Sequence, residues 1–191
     1  MNPTTGQAAV QLRTTIAEPK FYELIKKLTN FKILLKTRIL IMNAIVRSRL
    51  TYSCQTWNLT QKQMGKINSS YVGMLRKMIK GGYKTGENHH FILSNAEVLN
   101  ICKTVDIATF VGDQQSRYLG HLARQSNTCQ TKRLLFNTNK RTKPGRPYAL
   151  LEDKVLLFEN LTKDQFYKKA LLRKDRHDHP SGTDRQLSSR R

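Results

Sequence analysis

Between Asn30 and Thr60 the apolar positions recur with the period of a helix rather than a strand. On a helical wheel Leu35, Ile39, Met42, Val46 and Trp57 form one stripe, and Leu34, Ile41, Ile45 and Tyr52 form a second beside it. Lys32, Lys36 and Arg47 take the remaining side. This is the pattern of a helix that packs on two adjoining faces. β-Branched residues are common in its first half, yet the run is longer than an ordinary strand and never alternates cleanly. Thr60 and Gln63 then form a capping box, in which hydroxyl and amide reciprocally satisfy end amides. Met64, Ile67, Tyr71, Leu75 and Met78 follow at spacings of three or four, which predicts a second amphipathic helix ending at Gly81-Gly82.

Ser94 and Glu97 repeat the box ahead of "VLNIC". Asp106 opens a further run with Ile107, Val111, Tyr118 and Leu122 on its apolar side. "KRTKPGRP" interrupts regular structure, because proline lacks an amide proton and fixes its own backbone. Beyond it "LLEDKVLLF" and a third box, Thr162 with Gln165, predict two short helices. The expected organisation is a loose N-terminus over 1–18, where no periodicity shows, and a helical domain over 19–124. A basic linker over 125–149, a short helical segment over 150–179 and a disordered tail over 180–191 complete it. The fold class is all-α, a small helical bundle followed by a basic linker and short helices.

Charge changes the picture most. Thirty-four Lys and Arg against 13 Asp and Glu give +21 on 191 residues, an excess that repels itself unless a polyanion shares the work. Nucleic acid, as RNA or as an RNA–DNA or DNA duplex, is the partner such a balance fits. Residues 125–149 hold six basic residues, Lys132, Arg133, Lys140, Arg141, Lys143 and Arg146, and no acid. A loop held open by Pro144 and Pro147 presents those charges to phosphates, although a solvated linker has the same composition. Arg117, His121 and Arg124 fall at helical spacings and make one polar stripe, which could extend that surface or be an ordinary solvent face.

Candidate chemistry is sparse. A two-metal polymerase or nuclease needs clustered carboxylates, and no two aspartates adjoin here. His89-His90 and the pair His177 and His179 could hold a metal, but histidines among polar loop residues are more often simply exposed. There is no phosphate-binding glycine loop followed by Lys-Ser/Thr, and no catalytic set is complete. No catalytic residue, metal or cofactor is therefore assigned. Three cysteines, Cys54, Cys102 and Cys129, fit neither a disulfide framework nor a zinc site, which implies a reducing, intracellular setting, nuclear or cytoplasmic. The longest apolar run, "ILIMNAIV", is too short to span a bilayer, and no secretory leader pattern opens the chain.

The order of motifs carries a resemblance. "LTYSCQTWNLT", "YVGMLRKMIKG", "RYLGHLAR" and "KRTKPGRP" together resemble the thumb and following C-terminal region of reverse transcriptases from non-LTR (LINE-type) retrotransposons. Tyr52, Trp57, Leu59 and Thr60 match the first motif, and Leu75, Arg76 and Lys77 partly match the second. Leu119, Gly120 and His121 match the third, with Tyr118 where a tryptophan is usual. Gly145, Arg146 and Pro147 match the fourth. "ALLRKDRHDH" resembles a later Asp-Arg-x-x-Trp pattern, with His179 in the tryptophan's place. The resemblance makes 19–124 a thumb-like domain and implies that Lys32, Lys36 and Arg47 face a template-primer duplex, with Trp57 fixing the corner before the next helix. It also implies an RNA-directed DNA polymerase as parent enzyme, while the palm with its paired aspartates and the endonuclease are missing. The expected function is that of a basic nucleic-acid-binding remnant without polymerase activity of its own; the alternative is a helical protein-interaction module that binds no nucleic acid.

Overall fold

The computed structural model describes residues 3–79, 83–85, 90–136 and 151–172. The chain is helical and divides into two compact units, Met1–Gln114 and Gln115–Arg191. The boundary falls inside a helix, ahead of the expected 124/125 division.

The first unit begins with α1 (Pro3–Leu28), so the expected loose end over 1–18 is helix from Pro3 onward. Its reason is a stripe of mixed size. Val10, Thr14, Ala17, Phe21, Leu24 and Leu28 recur at alternating spacings of four and three, and Val10, Ala17, Phe21 and Leu28 are buried. Small and hydroxyl-bearing members hide such a stripe from a reading based on large apolar residues. Pro19 interrupts the bonding of α1, but it and Thr15, whose carbonyl it leaves without an amide partner, are both exposed, so water can replace the lost bond.

After a turn come α2 (Leu35–Ile41), a π-helical stretch (Met42–Arg47) and α3 (Ser48–Leu50). Of the first stripe Ile39, Met42 and Val46 are buried and Leu35 is half-buried, and Leu50, outside that stripe, is buried with them, each fully buried side chain adding about 1.5–3 kcal/mol. The second stripe holds only in part. Ile41 and Ile45 are half-buried, whereas Leu34 is 77% and Tyr52 65% exposed, because the helix starts after the one and ends before the other. Trp57 also lies beyond it. Ser53 adopts a left-handed backbone (φ 61), a one-turn 3₁₀ helix spans Cys54–Thr56, and Trp57 follows in extended conformation, half-buried against the core.

α4 (Gln61–Ile79) starts as predicted. Thr60 N donates to Gln63 Oε1 at 2.9 Å and Gln63 N to Thr60 Oγ1 at 3.3 Å. Ile67, Tyr71, Leu75 and Met78 are buried. α4 packs along α1, and Ser70 Oγ reaches Glu18 Oε1 at 3.4 Å. A short antiparallel ribbon, β1 (Tyr83–Thr85) with β2 (His90–Ile92), pairs Lys84 with Phe91; periodicity over three residues is too brief to announce it. α5 (Asn95–Ile101) carries the Ser94–Glu97 box in full. α6 (Ile107–Ala123) then begins, with Ile107 N bonded to Asn68 Oδ1 at 3.1 Å.

The second unit takes the remainder of α6, α7 (Gln130–Phe136), α8 (Leu151–Glu159) and α9 (Lys163–Leu171). Leu119, Ala123, Val155, Phe166 and Ala170 form its core. Phe136 packs against the Tyr167 ring at 5.0 Å between centroids, so the expected linker over 125–149 contains a packed helix in its first half. Its remainder, 137–149, and the tail expected over 180–191 lie outside the described residues. The Thr162–Gln165 box opens α9 as predicted.

Candidate nucleic-acid interface

The turn between α1 and α2 concentrates charge because of how both helices end. Lys26 and Lys27 occupy the last turn of α1. The chain reverses through Asn30, whose carbonyl accepts from Ile33 N at 3.1 Å and whose Oδ1 accepts from Lys32 N at 3.0 Å. That side-chain turn lifts Phe31 to 65% exposure. Lys26, Lys27, Lys32 and Lys36 are all exposed, and none has an ion-pair partner among the described residues.

Beneath this corner lies Arg38, 5% exposed. Its Nη1 donates to Leu28 O at 3.1 Å and to Met78 O at 3.2 Å. Both carbonyls belong to helix C-termini, of α1 and α4, where unpaired oxygens and the helix dipole favour a cation. The guanidinium also stacks on Phe31, 5.3 Å from the ring centroid. A single buried arginine thus joins two helices and backs the exposed ring.

At the opposite, N-terminal end of α4, Lys62 and Lys66 are exposed beside Gly65 and Ser69. Further along, Arg76 is engaged internally, on Leu93 O at 2.9 Å and Asn95 Oδ1 at 2.6 Å. Lys77 bonds the Tyr22 hydroxyl and lies over that ring.

Arg47 takes a different place from the one the wheel assigns. Its guanidinium stands 4.3 Å from the Phe110 ring centroid and adjoins the hydroxyl of Tyr71, which donates to Asn43 Oδ1 at 2.8 Å and lies 3.3 Å from Thr104 Oγ1. The π-helical stretch delivers both Asn43 and Arg47 to this knot. Burial pushes the Tyr71 phenol above its ordinary range. Tyr52, expected on the second apolar stripe, is exposed with Arg13 over its ring at 4.8 Å.

In the second unit Arg117 and His121 on α6 and Arg124, the residue after its end, are exposed, and Gly120 is buried. Arg124 Nη1 donates to Ala170 O, near the C-terminus of α9, at 2.8 Å, so it holds a helix end. His121 Nε2 meets Gln125 Nε2 at 3.0 Å. Lys132 Nζ donates to Gln125 O at 2.8 Å, and Arg133 is exposed on α7. Lys140, Arg141, Lys143 and Arg146 lie outside the described residues, as do His89, His177 and His179.

Sequence reasoning placed Lys32 and Lys36 correctly on a solvent side but passed over Lys26, Lys27, Phe31, Lys62 and Lys66. A signal existed. Between Glu23 and Glu87 the chain contains no Asp or Glu at all, a longer acid-free run than 125–149. Among the described residues no three His, Cys, Asp or Glu side chains come together as a metal site would need, and no helix is long and apolar enough to cross a membrane. No protein-family model matches the chain, and neither a curated protein nor a solved structure does.

Proposed function

We infer that the protein is a basic, helical nucleic-acid-binding module of LINE-type reverse-transcriptase descent that binds RNA or duplex without extending a primer by itself. The observation that carries binding is the set of six exposed lysines, Lys26, Lys27, Lys32, Lys36, Lys62 and Lys66, without ion-pair partners among the described residues. Glu23, one turn before Lys26 and Lys27, has its carboxyl lowered chiefly by Lys20 and in small part by Lys27, and from Leu24 to Gly86 no Asp or Glu follows to neutralise the other lysines. Cations left without internal partners release counterions when they meet phosphates, and that release supplies affinity. The descent rests on the ordered motifs around Trp57, Arg76, Gly120 and Arg146.

The test is fluorescence anisotropy with labelled RNA and DNA duplex between about 50 and 200 mM salt, the range where phosphate binding falls steeply. Log affinity should decline linearly with log salt. Replacing Lys26, Lys27, Lys32 and Lys36 with alanine should flatten the slope by roughly 0.7 to 0.9 for each phosphate no longer neutralised. Affinity indifferent to salt would overturn the reading, and primer extension by the purified chain with dNTPs and Mg²⁺ would overturn its non-catalytic part.

A further inference from the structure

The π-helical stretch Met42–Arg47 departs from the register that its own sequence spells. Ile39, Met42, Val46 and Leu50 are spaced by three, four and four, which an uninterrupted α-helix keeps close to one stripe. Counted at about 100° per residue, Arg47 of such a helix falls about 80° round from Ile39, on the side of Lys36. A π turn takes one residue more to come round, so Arg47 slips back toward the direction that position 46 has in the α register, which is the stripe's. There its guanidinium lies 4.3 Å from the Phe110 ring centroid and adjoins the Tyr71 hydroxyl. Asn43, at the start of the stretch, fixes that hydroxyl by accepting its proton at 2.8 Å. Carbonyls of the wide turn have side-chain donors, Ser48 Oγ on Ala44 O at 2.6 Å and Arg49 Nη1 on Ile45 O at 2.8 Å. The apolar stripe has a place in either register, so the contacts of Arg47 select the π form.

We propose that Met42–Arg47 is a register switch: in the π form it holds Arg47 inward against Phe110 and Tyr71, and wound to α it turns Arg47 out on the side of Lys36, where it pairs with a phosphate of bound nucleic acid. The proposal rests on the nucleic-acid reading above and adds a conformational step to it. A ligand shifts such an equilibrium only by its differential affinity for the two states, and a polyanion has that difference because Arg47 reaches it in one register alone. Turning out surrenders the contact with the Phe110 ring and the place beside Tyr71. It gains a charge-assisted bond to phosphate and the tighter, regular bonding of an α-helix. No apolar side chain has to leave the stripe for the exchange.

The experiment follows the full chain with a short labelled RNA duplex by anisotropy, and the Arg47 side chain by NMR. In the free parent the Arg47 side-chain protons should show the upfield shift of a group held over a ring, recognised by its loss in Phe110→Leu, and RNA should abolish that shift. Arg47→Met should weaken RNA binding and flatten the slope of log affinity against log salt by roughly 0.7 to 0.9, one phosphate contact. Phe110→Leu keeps apolar bulk but has no π face, so it should bind RNA about two- to fivefold tighter than the parent, the range of one cation–π contact, with the parent's slope. Phe110→Tyr restores the π face and should bind as the parent does. In the Arg47→Met background Phe110→Leu should change nothing. An Arg47 that keeps its ring shift in the complex would overturn the switch, as would a Phe110→Leu gain that persists without Arg47 or an Arg47→Met variant with the parent's affinity and slope. Each of those results leaves salt-dependent binding standing. A parent chain that binds no RNA would instead remove the function on which the switch rests.

Discussion

Replacing Arg38 with methionine tests whether one buried cation joins two helices. Methionine fills much of the arginine stem and removes only the guanidinium. The carbonyls of Leu28 and Met78 then lose a charged donor each. A buried acceptor without a partner costs about 1–3 kcal/mol, so two give roughly 2–6 kcal/mol. Release of the buried cation from its desolvation penalty offsets about half of that, and a net loss of about 1–3 kcal/mol remains. Against a typical total of about 5–15 kcal/mol this is large. Urea unfolding followed by the emission of Trp57, which lies in the same unit, should show a lower midpoint with an unchanged slope. Arg38→Lys sharpens the argument. Both bonds come from Nη1, and the buried Nε has no acceptor, so an ammonium that reaches the two carbonyls should lose only about 1 kcal/mol, much of it the stack on Phe31. A methionine variant within about 0.5 kcal/mol of the parent, or a lysine variant as unstable as the methionine one, would refute the reasoning.

Cys129 sits just ahead of α7 with its thiol lowered chiefly by the Lys132 backbone amide, whereas burial pushes Cys54 and Cys102 up to about 11; iodoacetamide near pH 8 should modify one thiol quickly and two slowly, and Cys129→Ser should abolish the fast phase. Tyr71 is raised by burial, so its contribution is complete below the unfolded value near 10 and is lost as pH rises through the folded one; Tyr71→Phe should be less stable than the parent at pH 8, and the gap should narrow by pH 11 in matched urea titrations. Trp57→Ala should cost about 2 kcal/mol, below the 3–5 typical of full burial, because the indole is only half-buried; thermal unfolding at the parent's midpoint would refute its packing role.

What the sequence shows most clearly is what is settled within one turn of chain. All three capping boxes, at Thr60, Ser94 and Thr162, form with both reciprocal bonds, because the two partners are three residues apart and need no tertiary structure to meet. The stripe of α4 is equally local, with large residues at helical spacing. α1 escapes notice because Thr14 and Ala17 sit where larger residues would advertise the stripe. The fates of the arginines are not local at all. Arg38 finds its acceptors ten and forty residues away, and Arg47 finds Phe110 and Tyr71 far along the chain. A helical wheel orders directions around an axis, but it does not say which side a distant element will cover.

That difference between near and distant partners divides the two basic residue types. Arg38, Arg49, Arg76 and Arg124 donate to backbone carbonyls, and Arg13 and Arg47 stack on aromatic rings. These are tasks for a planar, multi-donor head that is weakly hydrated. The lysines at 26, 27, 32, 36, 62 and 66 keep compact, strongly hydrated charges outside. Arginine is the residue that reads guanine edges through paired bonds, while lysine meets phosphate as a point charge. With six of the eight arginines among the described residues engaged in this way, the proposed surface of lysines would grip a backbone and leave base identity unread. Affinity for different sequences of equal length should therefore agree closely.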